Sequence, residues 1–179
     1  AFDQVARLAA RLLDVPIALV SLIDAERQWF KACIGLNAAE TPREHAFCAH
    51  TIQQDGIMVV PDARADPRFA DNPLVTGEPH IRFYAGAPVR AATGEKLGTL
   101  CLIDDTPREP LTESELSLLR DLAKLAEEQI RVRSTAVSAP APATPAADQL
   151  VQAAPDALIQ VDATGEVVAW NAAAERLFG

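Results

Sequence analysis

Cys48 and Cys101 are the residues of this chain whose types open two chemistries. Thiol–disulfide chemistry needs a thiolate nucleophile and a second thiol near enough to resolve it. Cys48 falls on a predicted helix and Cys101 on a predicted strand, so only the fold can bring them together. Metal binding is the second chemistry, because His45, Cys48 and His50 are closely spaced. On a helix, however, positions 45 and 48 share a face and position 50 lies well round the axis. A structural zinc needs four convergent ligands, and no metal site is expected. The plainer reading of Cys48 and Cys101 is a small apolar filler in a core, and no residue is assigned as catalytic.

A second group is polar and aromatic. Asp62, Asp66, Arg68, Asn72, His80, Arg82 and Tyr84 crowd one stretch, and Trp29, Phe47, Phe69 and Phe83 offer aromatic surface beside it. Polar groups fixed among aromatics are what a small-ligand site uses for orientation and burial. Singly, each has a local explanation: Asp66-Pro67-Arg68 reads as a self-capped turn, and Arg82 as the partner of a nearby acid. As a group they read as a pocket lining, since a segment that only connects could be shorter than 62–80. His50, Thr51, Cys48 and Cys101 complete the candidate lining.

The elements that would position these residues follow from periodicity. Phe2, Val5, Leu8, Ala9 and Leu12 have helical spacing, and Pro16 closes that helix. Ile17–Ile23 and Gln28–Ile34 read as a strand pair joined by a short polar turn. Thr41-Pro42-Arg43-Glu44 has the form of a helix start, with Thr as cap and Pro first, and predicts a helix to Gln53. A short strand at 57–60 follows, then the loop with one helical turn near 67–69. Strands at 81–90 and 96–103 flank a turn at Thr93-Gly94. Thr112-x-x-Glu115 is a capping box before a long helix over 112–133. That helix carries one stripe at Leu118, Leu122, Leu125 and Val132 and another at Leu116, Leu119, Ala123, Ala126 and Ile130. One stripe can pack on the sheet; the other, the 118/122/125/132 set, is expected to form a homodimer seam.

The chain has 179 residues, a hydrophobic share of 49% and a formal net charge of −9. That is enough for one ordinary core and a fragment beside it. No basic stripe is present, which argues against nucleic acid as a partner. No apolar run approaches a membrane span, and three cysteines in apolar surroundings suit a reducing compartment. A cytoplasmic location follows, with an anchor elsewhere in a longer parent still compatible. The Pro/Ala alternation at 139–146 reads as a semi-rigid spacer. The expected organisation is a domain at 1–133, a linker at 134–147 and the opening of a second domain at 148–179, which continues beyond this chain.

In this order the elements resemble a GAF domain, a sensing module of signalling proteins. The resemblance rests on Phe2 through Leu13, Ile17-Ala-Leu-Val-Ser-Leu-Ile-Asp24, Gln28-Trp-Phe-Lys31, Arg43-Glu-His-Ala-Phe-Cys-Ala-His-Thr-Ile52, Val60-Pro-Asp62, Asp66-Pro-Arg-Phe69, Phe83-Tyr-Ala-Gly-Ala-Pro-Val89 and Leu97-Gly-Thr-Leu-Cys-Leu-Ile-Asp104. The segment after the spacer is similar to the start of a PAS domain, through Asp162-x-x-Gly165, Val167 or Val168, and Asn171. The resemblance implies an α+β fold with a central antiparallel sheet of five or six strands. Helices cover one face, and loops and a short helix over 41–53 and 62–84 roof a pocket on the other. It implies a non-catalytic sensory role that binds a small molecule and signals through the 112–133 helix to the PAS segment and an output, a histidine kinase first and a diguanylate cyclase second. Some GAF-like enzymes reduce free methionine sulfoxide with pocket cysteines, which makes a thiol reductase using Cys48 and Cys101 the catalytic alternative. A ligand-free dimerisation module is the third. The ligand is not named by the sequence. Bilin attachment in the family uses a Cys-His dipeptide and an Asp-Ile-Pro segment, but Ala49 separates Cys48 from His50 and no Asp-Ile-Pro occurs. The Asn-Lys-x-Phe-Asp signature of cyclic-nucleotide members is also absent.

Overall fold

The computed structural model describes residues 2–138, 159–161 and 167–173, with side-chain environments for 2–132 and 171–173. The chain divides into two compact units, Ala1–Ala136 and Val137–Gly179. The first is built on a six-stranded sheet in the order β3-β2-β1-β6-β5-β4. Its strands are β1 (Ile17–Ile23), β2 (Arg27–Ile34), β3 (Glu40–Pro42), β4 (Met58–Val60), β5 (Phe83–Arg90) and β6 (Lys96–Asp104). Every neighbouring pair is antiparallel. The expectation of an α+β fold with five or six antiparallel strands is met at six.

Alternation along the central strands separates two cores. Ala18 and Val20 of β1, Ala85, Ala87 and Val89 of β5, and Leu100 and Leu102 of β6 face one side. Helix α1 (Phe2–Leu12) lays Phe2, Val5, Ala6, Ala9 and Ala10 on that side, one stripe at helical spacing. Helix α4 (Glu113–Ser138) adds Leu119, Leu122, Ala123 and Ala126. Each such large side chain withdrawn from water contributes about 1.5–3 kcal/mol. The predicted capping box forms: Glu115 Oε2 accepts from the Thr112 amide at 2.8 Å, and Thr112 Oγ1 accepts from the Glu115 amide at 3.3 Å. The helix runs to Ser138, five residues past its expected end at 133. The remainder of the expected 134–147 linker lies outside the described residues.

Two sequence expectations are corrected. The first is the helix expected to start at Thr41. Glu40–Pro42 is instead the edge strand β3, in register with Arg27–Trp29 of β2. Arg27 fixes it by donating to Glu40 Oε2 at 2.7 Å while also pairing with Asp24 at 3.0 Å. Pro42 takes an extended ψ of 139°, and a proline without an N–H is tolerated on an edge strand. A 3₁₀ turn (Arg43–His45) and a five-residue helix α2 (Phe47–Thr51) replace the longer helix. The second correction concerns the stripe at 118, 122, 125 and 132. Leu122 is buried in the chain's own core and Leu118 packs against it, whereas Leu125 and Val132 are 51% and 54% exposed. The covered face runs through 119, 122, 123 and 126, because the i, i+3, i+4, i+7 set is the one a straight helix can lay on a sheet.

In the second unit, β7 (Ile159–Val161) and β8 (Val167–Trp170) form an antiparallel pair, and Asn171 precedes two helical residues. The Asp162-x-x-Gly165 turn expected between them lies outside the described residues.

Candidate functional site

The face of the sheet opposite α1 and α4 presents Leu19, Phe30, Tyr84, Cys101 and Ile103. It is covered by α2, by the segment 61–82 and by a short helix α3 (Pro73–Thr76) that was not anticipated. Asn72 caps α3 by accepting from the Leu74 amide at 2.9 Å, and its amide donates to the His45 carbonyl at 3.0 Å. This one side chain ties the two roofing segments together. A signal for α3 was present in the sequence, since Asn72-Pro73 is a cap followed by a proline at the first helical position.

Aromatic stacking fills the space under the roof. The Phe47 and Phe69 rings are stacked with centroids 4.0 Å apart and planes 12° apart. Tyr84 lies 5.2 Å from Phe47, and His50 meets Phe69 edge-on at 5.0 Å. Phe47, Phe69 and Tyr84 are all buried. What remains is a cavity of about 30 Å³ lined by Phe47, Cys48 and Tyr84 and also by Leu19, Gln28, Phe30, Leu36, Thr41, Leu74, Pro79, Ile81 and Ile103. It has room for one or two water molecules. Gln28 and Thr41 are polar wall residues that the sequence did not place in the lining. Among the described residues, the Thr41 hydroxyl is the buried side-chain polar atom without a hydrogen-bond partner.

Tyr84 reaches this centre because position 86 is glycine. A Cβ there would lie 2.2 Å from the Tyr84 Oη, so the phenol lies along its own strand across Gly86. Its hydroxyl is 2.8 Å from Thr51 Oγ1 and donates to Cys48 Sγ at 3.4 Å. The Cys48 and Cys101 sulfurs are 3.6 Å apart, and both residues are buried. Ser21 and Thr99 pair with each other at 3.1 Å across β1 and β6 on the same side. Burial opposes ionisation of Cys48, but Cys101, Ser21, Thr99 and Tyr84 hydrogen-bond to its sulfur and bring its pKa down to about 6. Hydrogen bonding to Cys48, followed by burial, pushes Cys101 well above the ordinary thiol value. Burial, with both sulfurs adding to it, likewise raises Tyr84. Of the two thiols, Cys48 is thus the one its hydrogen-bond donors favour for ionisation. Cys33 lies apart, donating to the Leu36 carbonyl at 3.0 Å.

The structure thus brings Phe47, Cys48, Thr51, Phe69, Tyr84 and Cys101 together. It does not bring the rest of the candidate lining in. Trp29 points to the opposite side of β2, is 39% exposed and stacks under the Lys31 ammonium at 4.8 Å. Phe83 belongs to the helix-side core, because neighbours on a strand face opposite ways. The polar residues of the loop satisfy one another at the surface. Arg82 clasps both oxygens of Asp62 at 2.8 Å and holds that carboxyl below its usual range. Arg68 does the same for Asp66, at 3.0 and 2.6 Å. His80 is exposed and 3.6 Å from Glu78, and the His50 ring covers Phe69 from outside. His45 faces Glu44 at 3.6 Å, so His45, Cys48 and His50 do not converge. Among the described residues, no group of three or more His, Cys, Asp or Glu could hold a metal ion, and no helix is long and apolar enough to cross a membrane.

Known proteins agree with this geometry. The GAF domain family matches residues 1–130, and the PAS fold matches residues 147–179. A cyclic di-GMP phosphodiesterase of Pseudomonas aeruginosa is 49% identical over 135 residues, which is 75% of this chain and 23% of that protein. The chain thus spans about a quarter of that relative's length. Among solved structures, the GAF domain of an Acinetobacter phosphoenolpyruvate-protein phosphotransferase superposes with a TM-score of 0.59 at 20% identity, over 76% of this chain and 82% of that one. A free methionine-R-sulfoxide reductase of Neisseria meningitidis, solved with its substrate, gives 0.58 at 18% identity, over 72% and 74%. With its six-stranded sheet, two-sided core and family match over most of its length, this chain belongs to the GAF domain family and carries a PAS-fold segment after it.

Proposed function

We propose that the first unit is a non-catalytic sensory module whose roof, α2 and segment 61–82, is coupled through the sheet to α4. The carrying observation is the division of the unit into two cores on one sheet, with α4 packed on one and continuing to Ser138. Helix α4 would pass a change in its pose onward. The 49% identical relative favours an output that turns over a cyclic dinucleotide ahead of a histidine kinase. A cytoplasmic placement suits the buried free thiols.

A small-molecule ligand would have to open the roof. Metabolite pockets run to roughly 300–1,000 Å³, far above the 30 Å³ between Phe47, Cys48 and Tyr84. The same figure weighs against the thiol reductase alternative, because methionine sulfoxide has no room beside Cys48. It favours one second reading, a module whose pocket is closed by its own side chains and whose task is dimerisation. Leu125 and Val132 on α4, with Leu8 and Leu12 on α1, are exposed apolar side chains suited to a second copy.

Hydrogen exchange separates the two readings. Phe69→Leu removes the ring stack on Phe47 while keeping an apolar side chain. The sensory reading expects faster exchange in 47–51 and 61–82 together with altered exchange in α4. A change confined to the roof, with a dimer persisting by light scattering, supports the second reading. Native mass spectrometry of the purified chain reports in parallel whether a small molecule is retained.

A further inference from the structure

We propose that Cys48 and Cys101 form a peroxide-sensitive dithiol whose oxidation staples the roof helix α2 to sheet strand β6. The two residues are 53 positions apart and are brought together by the tertiary fold. Cys101 sits on a central strand in register with Leu19 and Gly86, and Cys48 hangs from α2 above it. The sulfurs are 3.6 Å apart, and a bond of about 2.05 Å needs them to close by about 1.6 Å. Cys48 is carried by a five-residue helix, whereas Cys101 lies on a strand paired on both sides.

The surroundings assign the roles. The cavity is walled by Cys48 and Tyr84 and not by Cys101, so of the two cysteines an oxidant in it meets Cys48 first. Tyr84 donates to that sulfur at 3.4 Å, which favours its thiolate and leaves Cys101 the resolving thiol. The Cys48 thiolate attacks one oxygen of hydrogen peroxide and breaks the O–O bond. This yields a Cys48 sulfenic acid and hydroxide, which takes a proton to become water. The Cys101 sulfur then attacks the Cys48 sulfur, and the sulfenic hydroxyl leaves with the Cys101 proton as a second water. Two thiols lose two electrons and the peroxide gains them. The step is stoichiometric, and a small dithiol reductant reverses it by exchange. A cavity of about 30 Å³ makes the site size-selective, admitting hydrogen peroxide and excluding a bulky organic hydroperoxide.

This proposal goes beyond the sensory reading and does not depend on it, since the bond forms or fails to form whatever α4 does. The test treats the whole chain with hydrogen peroxide, then denatures, alkylates and digests it for mass spectrometry. The expected result is the loss of two hydrogens per chain, a linked Cys48–Cys101 peptide pair and an alkylated Cys33. The linked pair disappears after dithiothreitol. Cumene hydroperoxide at the same concentration should react many-fold more slowly. Cys101→Ala should leave a Cys48 sulfenic acid that a dimedone probe traps. Recovery of both cysteines alkylated, a link that runs through Cys33, or equal rates with the two peroxides overturns the proposal. The wild-type measurement decides the bond even where a substituted thiol destabilises the fold.

Discussion

Replacing Gly86 with Ala places a Cβ 2.2 Å from the Tyr84 Oη, 2.7 Å from its Cζ and 2.9 Å from its Cε1. No rotation of the hydroxyl relieves three such contacts, so the ring must tilt off its strand. The tilt breaks the 2.8 Å bond to Thr51 and the 3.4 Å bond to Cys48. Thr51 keeps a partner, the Phe47 carbonyl at 3.3 Å, which limits the penalty. Overpacking costs about 1–3 kcal/mol and the two hydrogen bonds about 1 kcal/mol each. The loss of stability is then about 3 kcal/mol, a melting temperature lower by on the order of 10 °C. Thermal and urea unfolding followed by circular dichroism measure it. The Tyr84→Ala variant removes the ring that the new methyl strikes. The double variant should therefore lose less than the sum of the singles by about 1–3 kcal/mol. Stability of Gly86→Ala within about 0.5 kcal/mol of the parent, or strict additivity in the cycle, would refute the idea that Gly86 makes room for the phenol.

Three further outcomes are expected. Glu at both Leu125 and Val132 should convert a dimer to a folded monomer by light scattering with little change in melting temperature, because both side chains are exposed. Leu122→Glu should instead unfold the domain, since that side chain is in the core; a monomer that keeps its melting temperature on Leu122→Glu would contradict the packing of α4. The third concerns acid. Burial opposes ionisation of the Asp104 carboxylate, but the Thr106 amide and hydroxyl and the Arg108 guanidinium outweigh it and hold its pKa below the ordinary value. A depressed carboxylate stabilises the fold above the unfolded pKa of about 4, and this contribution is lost as pH falls through the lower folded value. Asp104→Asn should flatten that part of the acid-unfolding curve below pH about 4, and a curve identical to the parent's would remove Asp104 from the account.

The strands and the two long helices were legible locally. Helical spacing at Phe2, Val5 and Ala9, the Thr112–Glu115 box and the alternation of β5 and β6 each involve residues a few positions apart, and backbone propensity and side-chain period act over that range. The edge strand β3 was not legible. Thr41-Pro42 suits a helix start and an edge strand equally, and a partner on β2, with Arg27 reaching Glu40, decided between them. The candidate site was legible in composition and misread in direction. The loop's acids and arginines are where the sequence puts them, but Asp62 with Arg82 and Asp66 with Arg68 neutralise one another outside the cavity.

By itself the sequence determined the central strands and the two long helices, that the fold is a two-sided α+β sheet, and that the pattern is that of the GAF family. The tertiary structure alone decided which stripe of α4 is covered, that Phe47 and Phe69 fill the space under the roof, and that Cys48 meets Cys101. Those facts depend on strand register and on the packing of side chains tens of residues apart, and a local pattern carries no information on which distant partner arrives.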